Sequence, residues 1–402
     1  MPMARRNADN SPRRKRRAPD AETLGSLNLD FSQSPTTWKF LSDDSFFRGL
    51  LGPVGSGKSY ACAAEVMLRA AKQPASPKDN IRYSRFVVVR NSYPELRTTT
   101  LKTWTELFPE SQWGPLRWSP PITHHIKLPT RDDVPGLDCE VIFLALDQPK
   151  DVRKLLSLEL TGGWVNEARE LPLAVIQGLT HRVGRYPTKA NGGAPWRGIW
   201  ADTNPMDDDH WWYRLAEKEP VRGKYKWTFF KQPPGMIEVV ADAPEAIPAA
   251  GRHWAINPKA ENINNLPAGY YEQQLGGKDL DWIQCYVGGA YVFVKDGRPV
   301  WPEYDDVTMA TEGVPLEEGA MIWGGPAGSK RDEIFEVTSF DHLRTLGLNA
   351  KPTASNDFGV RREAGAAPMT RLVGGKPGLQ VDASCRRLRK ALALQTLNAS
   401  FD

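Results

Sequence analysis

The sequence predicts an α/β fold built on a mainly parallel central sheet, and three observations predict it. From Phe46 onward, apolar runs of strand length alternate with amphipathic stretches of helical period, the order that a parallel sheet with crossover helices requires. A glycine-rich loop, Gly52-Pro-Val-Gly-Ser-Gly-Lys-Ser59, stands where the first apolar run gives way to the first amphipathic stretch. Two later apolar runs, Gly163-Trp-Val-Asn-Glu167 and Gly198-Ile-Trp-Ala-Asp-Thr-Asn-Pro205, end in polar residues, and open α/β sheets take their ligands beyond the carboxyl ends of their strands.

Residues 1–30 carry Arg5, Arg6 and Arg13-Arg-Lys-Arg-Arg17 among almost no apolar side chains, so a disordered basic tail is expected, either solvated or gripping phosphates. Phe46 to Gly52 reads as a strand, Lys58 to Lys72 as an alanine-rich helix, and Arg85 to Arg90, with its Phe-Val-Val-Val core, as the next strand. A helix from about Thr98 to Leu107 follows. Ile122 to Leu128 and Glu140 to Leu146 read as a hairpin or a pair of sheet strands, and Asp151 to Leu160 as helical. The runs at 163–167 and 198–205 complete a domain expected over residues 31–250. Residues from about 206 are richer in tryptophan, proline and turn residues, and 251–290 is expected to be a connector. A last region, 291–402, opens with Ala290-Tyr-Val-Phe-Val294 and Asp296-Gly297, the pattern of a hairpin.

The composition suits a folded enzyme: 402 residues, 40% of them hydrophobic and 25% charged, are enough for a sizeable core divided between domains. No segment approaches the roughly 18 to 20 consecutive apolar residues of a membrane helix, and no secretory signal is seen, so a cytoplasmic location without membrane contact is expected. Four cysteines, Cys62, Cys139, Cys285 and Cys385, stand far apart with no CxxC pair, which points away from a zinc site or a disulfide framework. A net charge of +4 permits a polyanionic partner without demanding one.

Gly52, Gly57, Lys58 and Ser59 satisfy G-x-x-x-x-G-K-[ST] between a strand and a helix, which is the phosphate-binding P-loop in its required context. In the loop Gly52, Pro53, Val54, Gly55, Ser56 and Gly57, the glycines let backbone N–H groups turn inward around phosphate oxygens. Lys58 neutralises β and γ charge, and the Ser59 hydroxyl ligates Mg²⁺. ATP and Mg²⁺ are the expected ligands. Hydrolysis also needs a carboxylate to polarise water, and Glu167, closing an apolar strand, is the first candidate; Asp147, closing Leu144-Ala-Leu-Asp147, is the second. Asn166 takes the place of the usual metal-orienting aspartate and can still hydrogen-bond a metal-bound water. Thr203 and Asn204 are placed to sense the γ-phosphate, against the plainer reading of a polar turn before Pro205. Arg182 and Arg185 follow the Glu167 segment, and Arg90 and Arg97 flank a strand; any of them could act as a charge-stabilising finger or be a surface arginine.

With the loop, Arg85-Phe-Val-Val-Val-Arg-Asn-Ser-Tyr-Pro-Glu-Leu-Arg-Thr-Thr-Thr100, Thr161-Gly-Gly-Trp-Val-Asn-Glu-Ala-Arg169, Ala201-Asp-Thr-Asn-Pro205 and Leu266-Pro-Ala-Gly-Tyr-Tyr271 in order, the chain resembles the large terminase subunits of tailed bacteriophages from about residue 35 to beyond 300. The resemblance implies an ASCE-type P-loop NTPase domain followed by a ribonuclease H-like α/β domain. It also implies an ATP-driven motor that moves double-stranded DNA into a capsid in the cytoplasm of a bacterial host, with portal protein, small terminase subunit and a ring of like subunits as partners. Within it Lys58 and Ser59 bind nucleotide and Mg²⁺, Glu167 is catalytic, and Thr203-Asn204 couples hydrolysis to movement.

The nuclease half departs from the family pattern. Met321-Ile-Trp-Gly-Gly-Pro-Ala-Gly328 looks like a core strand with glycine in place of its acid, and the first core strands and last acidic segment have no counterpart. Two-metal cleavage needs clustered carboxylates, and Asp305, Asp306, Asp332, Asp341, Asp357 and Asp382 are scattered among loop-like segments. A partial ribonuclease H-like domain over 291–402 is therefore expected, its nuclease either inactive or dependent on residues supplied elsewhere. The contrasting functional class is a non-catalytic prophage remnant that binds portal or small terminase subunit.

Overall fold

The computed structural model describes residues 29–146, 152–292, 303–304, 306–312, 321–324, 341, 344–345, 349–352 and 358–394. The basic segment up to residue 28, Asp147 and the expected hairpin strand at 293–294 lie outside the described residues. The chain divides into two compact units, Met1–Val294 and Lys295–Asp402.

The first unit is organised by a sheet of eight strands: Phe47–Leu51 (β1), Ile81–Arg90 (β2), Leu116–Arg117 (β3), Ile122–Leu128 (β4), Gly136–Ala145 (β5), Gly162–Asn166 (β6), Gly198–Thr203 (β7) and Trp227–Lys231 (β8). Its order is β3-β4-β5-β2-β6-β7-β1-β8. The run from β5 to β8 is parallel throughout, and β4 and β3 add an antiparallel edge. The parallel strands are apolar on both sides because both faces are covered. On β2 the pleat sends Phe86 and Val88 to one face and Val87 and Val89 to the other, all fully buried.

One face packs on the helix Lys58–Ala71 (α1), whose Ala61, Ala63, Ala64 and Ala70 are small enough to let it lie close over Trp164 and Trp200, cross-strand partners on β6 and β7. The other face is covered by Leu173–Thr180 (α2) and by Trp211 and Trp212. The expected helix over 151–160 is short, Val152–Leu155 among the described residues. No helix among the described residues is long and apolar enough to cross a membrane.

A buried ion cluster ties α1 to the sheet. Glu65 Oε1 lies 2.6 Å from Arg48 Nη2 on β1 and 2.5 Å from Arg69 Nε, one turn along α1. All three side chains are buried, and Arg69 also reaches Asp44. Glu65→Ala would strand Arg48 without a carboxylate in the core, so the unit is expected to lose about 3–5 kcal/mol, read as a fall in denaturation midpoint by urea titration.

Residues 232–287 form a small subassembly of the first unit. Met236–Val239, Ile247–Ala249 and Arg252–Ile256 make an antiparallel sheet, and Met236, Trp254, Tyr271, Leu275, Ile283 and Val287 close a core under it. Val54 of the glycine loop packs against this core, so the segment expected as a connector is built onto the loop.

In the second unit, Met321–Gly324 pairs in parallel with Asn349–Pro352, and Ala310–Thr311 with Val381–Asp382. Helices Phe358–Thr370 and Arg386–Leu394 accompany them. Tyr304, Met309, Met369 and Val381 form its core among the described residues.

Candidate active site

The loop leaves β1 at Gly52 and enters α1 at Lys58. Gly55 and Gly57 carry φ of 72° and 79°, the left-handed region that glycine enters without steric cost. A Cβ at Gly55 would also stand 2.7 Å from the Tyr270 ring, so that turn has no room for a side chain. The subassembly holds the loop by its backbone: Asn262 Nδ2 donates to Gly55 O at 2.8 Å, the Tyr271 hydroxyl to Val54 O at 3.0 Å, and Val54 N donates to Tyr286 O at 2.8 Å. Gln232, just past β8, donates to Ser56 O and accepts from Ser56 Oγ, and its amide also reaches Glu261, which accepts from Thr36 N and Thr37 N.

The ends of β6 and β7 converge beside this loop. Lys58 Nζ donates to Pro53 O at 2.6 Å and to Asn204 Oδ1 at 2.9 Å. Burial pulls the Lys58 ammonium below the ordinary lysine value, with Glu167 and Asp202 acting in the opposite direction. Ser59 Oγ donates to Asp202 Oδ2 at 2.6 Å. Asn166 Nδ2 lies 3.1 and 3.0 Å from the two Asp202 oxygens, Trp164 Nε1 donates to Asp202 Oδ1 at 2.7 Å, and Asn166 Oδ1 accepts from Thr100 Oγ1 at 2.6 Å. A hydroxyl beside a carboxylate is an oxygen donor set that suits a hard cation such as Mg²⁺.

Glu167 sits one residue past β6 with φ of 50°, a left-handed conformation that a non-glycine residue adopts at a cost of about 1–3 kcal/mol. Its Oε2 is buried without a hydrogen-bond partner among the described residues. Burial raises its carboxyl above the ordinary glutamate value, as does Asp202, while Lys58, Arg90 and Arg169 oppose the rise. Neighbouring Glu170 is pushed up to about 7 by burial, against the pull of Arg90, whose Nη1 lies 3.1 Å from Glu170 Oε2. Arg169 N donates to Thr203 Oγ1 at 3.2 Å, and its guanidinium reaches the Tyr286 hydroxyl at 2.5 Å.

Of the residues expected from the sequence, Gly52 to Ser59, Asn166, Glu167, Thr203 and Asn204 are thus brought to one edge of the sheet. Arg182 and Arg185 are not. They flank Val183, which bridges Leu160 at the amino end of β6, and β6 spans five residues, on the order of 16 Å, between them and the loop edge. Arg90 faces Glu170, and Arg97 lies over the Trp118 ring. Sequence reasoning missed Asp202, Gln232 and Arg169. Asp202 and Gln232 had a signal, since each lies at the carboxyl edge of a parallel strand, Asp202 one residue before the end of β7 and Gln232 one residue past β8. Beside Ser56 and Gly57 opens a cavity of about 430 Å³ lined by Phe31, Tyr60, Asn262 and Asn265 among others.

No protein-family model and no curated protein matches the sequence. Among solved structures, the chain is similar to the large terminase of a thermophilic bacteriophage at 11% identity, covering 92% of this chain and 93% of that one, with a TM-score of 0.45. The same terminase in complex with ADP is 10% identical over 89% and 90%, with a TM-score of 0.45. The large terminase ATPase domain of a Thermus phage is 12% identical, covering 67% of this chain and 96% of that one, with a TM-score of 0.36.

Proposed function

We propose that this chain is the ATP-hydrolysing motor subunit of a phage DNA-packaging terminase, moving double-stranded DNA into a capsid within the cytoplasm of the bacterial host. The observation that carries the ATPase part is the hydrogen-bonded set of Lys58, Ser59, Asn166, Asp202 and Asn204 under a P-loop at the carboxyl edge of a parallel sheet. The terminase-like order of the sequence phrases supports the DNA-packaging part, together with portal protein, small terminase subunit and a ring of like subunits as partners.

The loop amides and Lys58 hold the β- and γ-phosphates, and the nucleoside occupies the cavity beside Phe31 and Tyr60, whose volume falls in the range of small-ligand sites. Ser59, with the Asn166 amide beside it, would hold Mg²⁺, which would supply neutralisation of phosphate charge when bound. Glu167 orients the attacking water and takes its proton, and its raised carboxyl affinity suits a general base. Asn204 shares Lys58 with the loop, so a γ-phosphate that draws Lys58 away releases Asn204. Thr203, Arg169 and Tyr286 form a bonded line from the β7 end to the segment bracing Val54, a route by which hydrolysis couples to movement. Arg182 and Arg185, on the far edge, belong as fingers only to a neighbouring copy's nucleotide in a ring.

ATP hydrolysis with and without double-stranded DNA tests this reading. The terminal region, short of clustered acids in its sequence, is proposed to lack nuclease activity. Supercoiled plasmid incubated with Mn²⁺ is expected to stay uncut, and linearisation by homogeneous protein would overturn that part.

A further inference from the structure

The carboxylate that a P-loop enzyme places against its metal-binding hydroxyl is missing at the end of β6, where Asn166 stands, yet Ser59 Oγ donates to a carboxylate all the same, that of Asp202 on β7. We propose that Asp202 positions the divalent cation of the bound nucleotide, the charge having been displaced by one strand, and that Asn166 is its brace. The proposal rests on the ATPase reading above.

Three features carry it. Asn166 and Asp202 are direct partners in the parallel register of β6 and β7, so either position delivers a side chain to the same point. Both reach Ser59, Asp202 Oδ2 at 2.6 Å and Asn166 Nδ2 at 3.3 Å. Asp202 is fully buried, and its hydrogen-bond donors among the described residues are neutral: Ser59, Asn166 and Trp164. Lys58 Nζ is engaged instead by Pro53 O, Ser56 Oγ and Asn204 Oδ1. A carboxylate held out of water by neutral donors is favoured by an arriving cation, and Mg²⁺ is commonly held by one or two carboxylates together with substrate phosphates. The Asn166 amide fixes both Asp202 oxygens, which an aspartate at 166 would instead repel.

Mn²⁺ binding to the protein–ADP complex, followed by electron paramagnetic resonance, and fluorescent-ADP affinity in EDTA separate the possibilities. Asp202→Asn is expected to weaken Mn²⁺ binding by about 10- to 100-fold, the range for groups that orient metal ligands, with ADP affinity in EDTA and melting temperature near wild type. The exchanged pair, Asn166→Asp with Asp202→Asn, restores the charge at the neighbouring position and is expected to recover most of the loss. Unchanged Mn²⁺ affinity in Asp202→Asn overturns the proposal, and so does an exchanged pair that folds, binds ADP in EDTA and remains as weak for Mn²⁺ as the single variant. Wild-type protein that binds no ADP with or without metal overturns the ATPase reading itself and the proposal with it, an outcome distinct from the other two.

Discussion

Glu167→Gln is expected to slow ATP hydrolysis by on the order of 10²- to 10⁴-fold while leaving nucleotide affinity close to wild type, because the exchange removes a general base without touching the phosphate cradle. The physical case lies in the cost of the native residue. Glu167 is held at φ 50°, its Oε2 is buried without a hydrogen-bond partner among the described residues, and burial with Asp202 nearby disfavours its ionised form. A folded chain keeps such a carboxylate where the chemistry needs it, since an unsatisfied buried oxygen costs about 1–3 kcal/mol. The isosteric amide carries no charge to desolvate, so the melting temperature is expected to hold or rise. Loss of turnover together with a fall in stability would mark Glu167 as structural instead. Single-turnover hydrolysis and thermal denaturation on the same preparation make the distinction.

Lys58→Ala should abolish detectable hydrolysis and, unlike the first substitution, weaken ATP binding as well. Its ammonium is buried at the loop, bonded to Pro53 O and Asn204 Oδ1, the place from which a P-loop lysine meets the phosphates. Hydrogen bonds to charged groups contribute about 1.5–3 kcal/mol, so affinity for ATP is expected to fall on the order of 10- to 100-fold. Equilibrium titration with a fluorescent ATP analogue reads this directly, and wild-type affinity in the variant would contradict the role of the loop.

Much of this site was legible because its pieces are local. G-x-x-x-x-G-K-S between an apolar run and an alanine-rich stretch specifies β1, loop and α1 within neighbouring residues, and the polar ends of β6 and β7 followed from their apolar bodies. Asp202 stood in plain view inside Ala201-Asp-Thr-Asn-Pro205, but weighing Thr203 and Asn204 as phosphate sensors hid the alternation that turns Asp202 toward Ser59 and Thr203 toward Arg169. The brace on the loop was illegible for another reason. Asn262 bonds Gly55 across 207 positions and Glu261 bonds Thr36 across 225, pairings that only tertiary packing selects. For the same reason β8, in the Trp- and Pro-rich stretch where no strand was expected, extends the parallel sheet beside β1, its Phe229 and Phe230 half-buried against the two faces of the core.

The central claim is that the sheet edge around Gly52–Ser59 hydrolyses ATP to move DNA. Steady-state ATP hydrolysis measured across a titration of double-stranded DNA, for wild type and Glu167→Gln side by side, tests it most directly. The account predicts a wild-type rate that climbs with DNA to a plateau and a variant rate that stays near zero throughout. A wild-type rate indifferent to DNA, or a variant that responds as the wild type does, would contradict it.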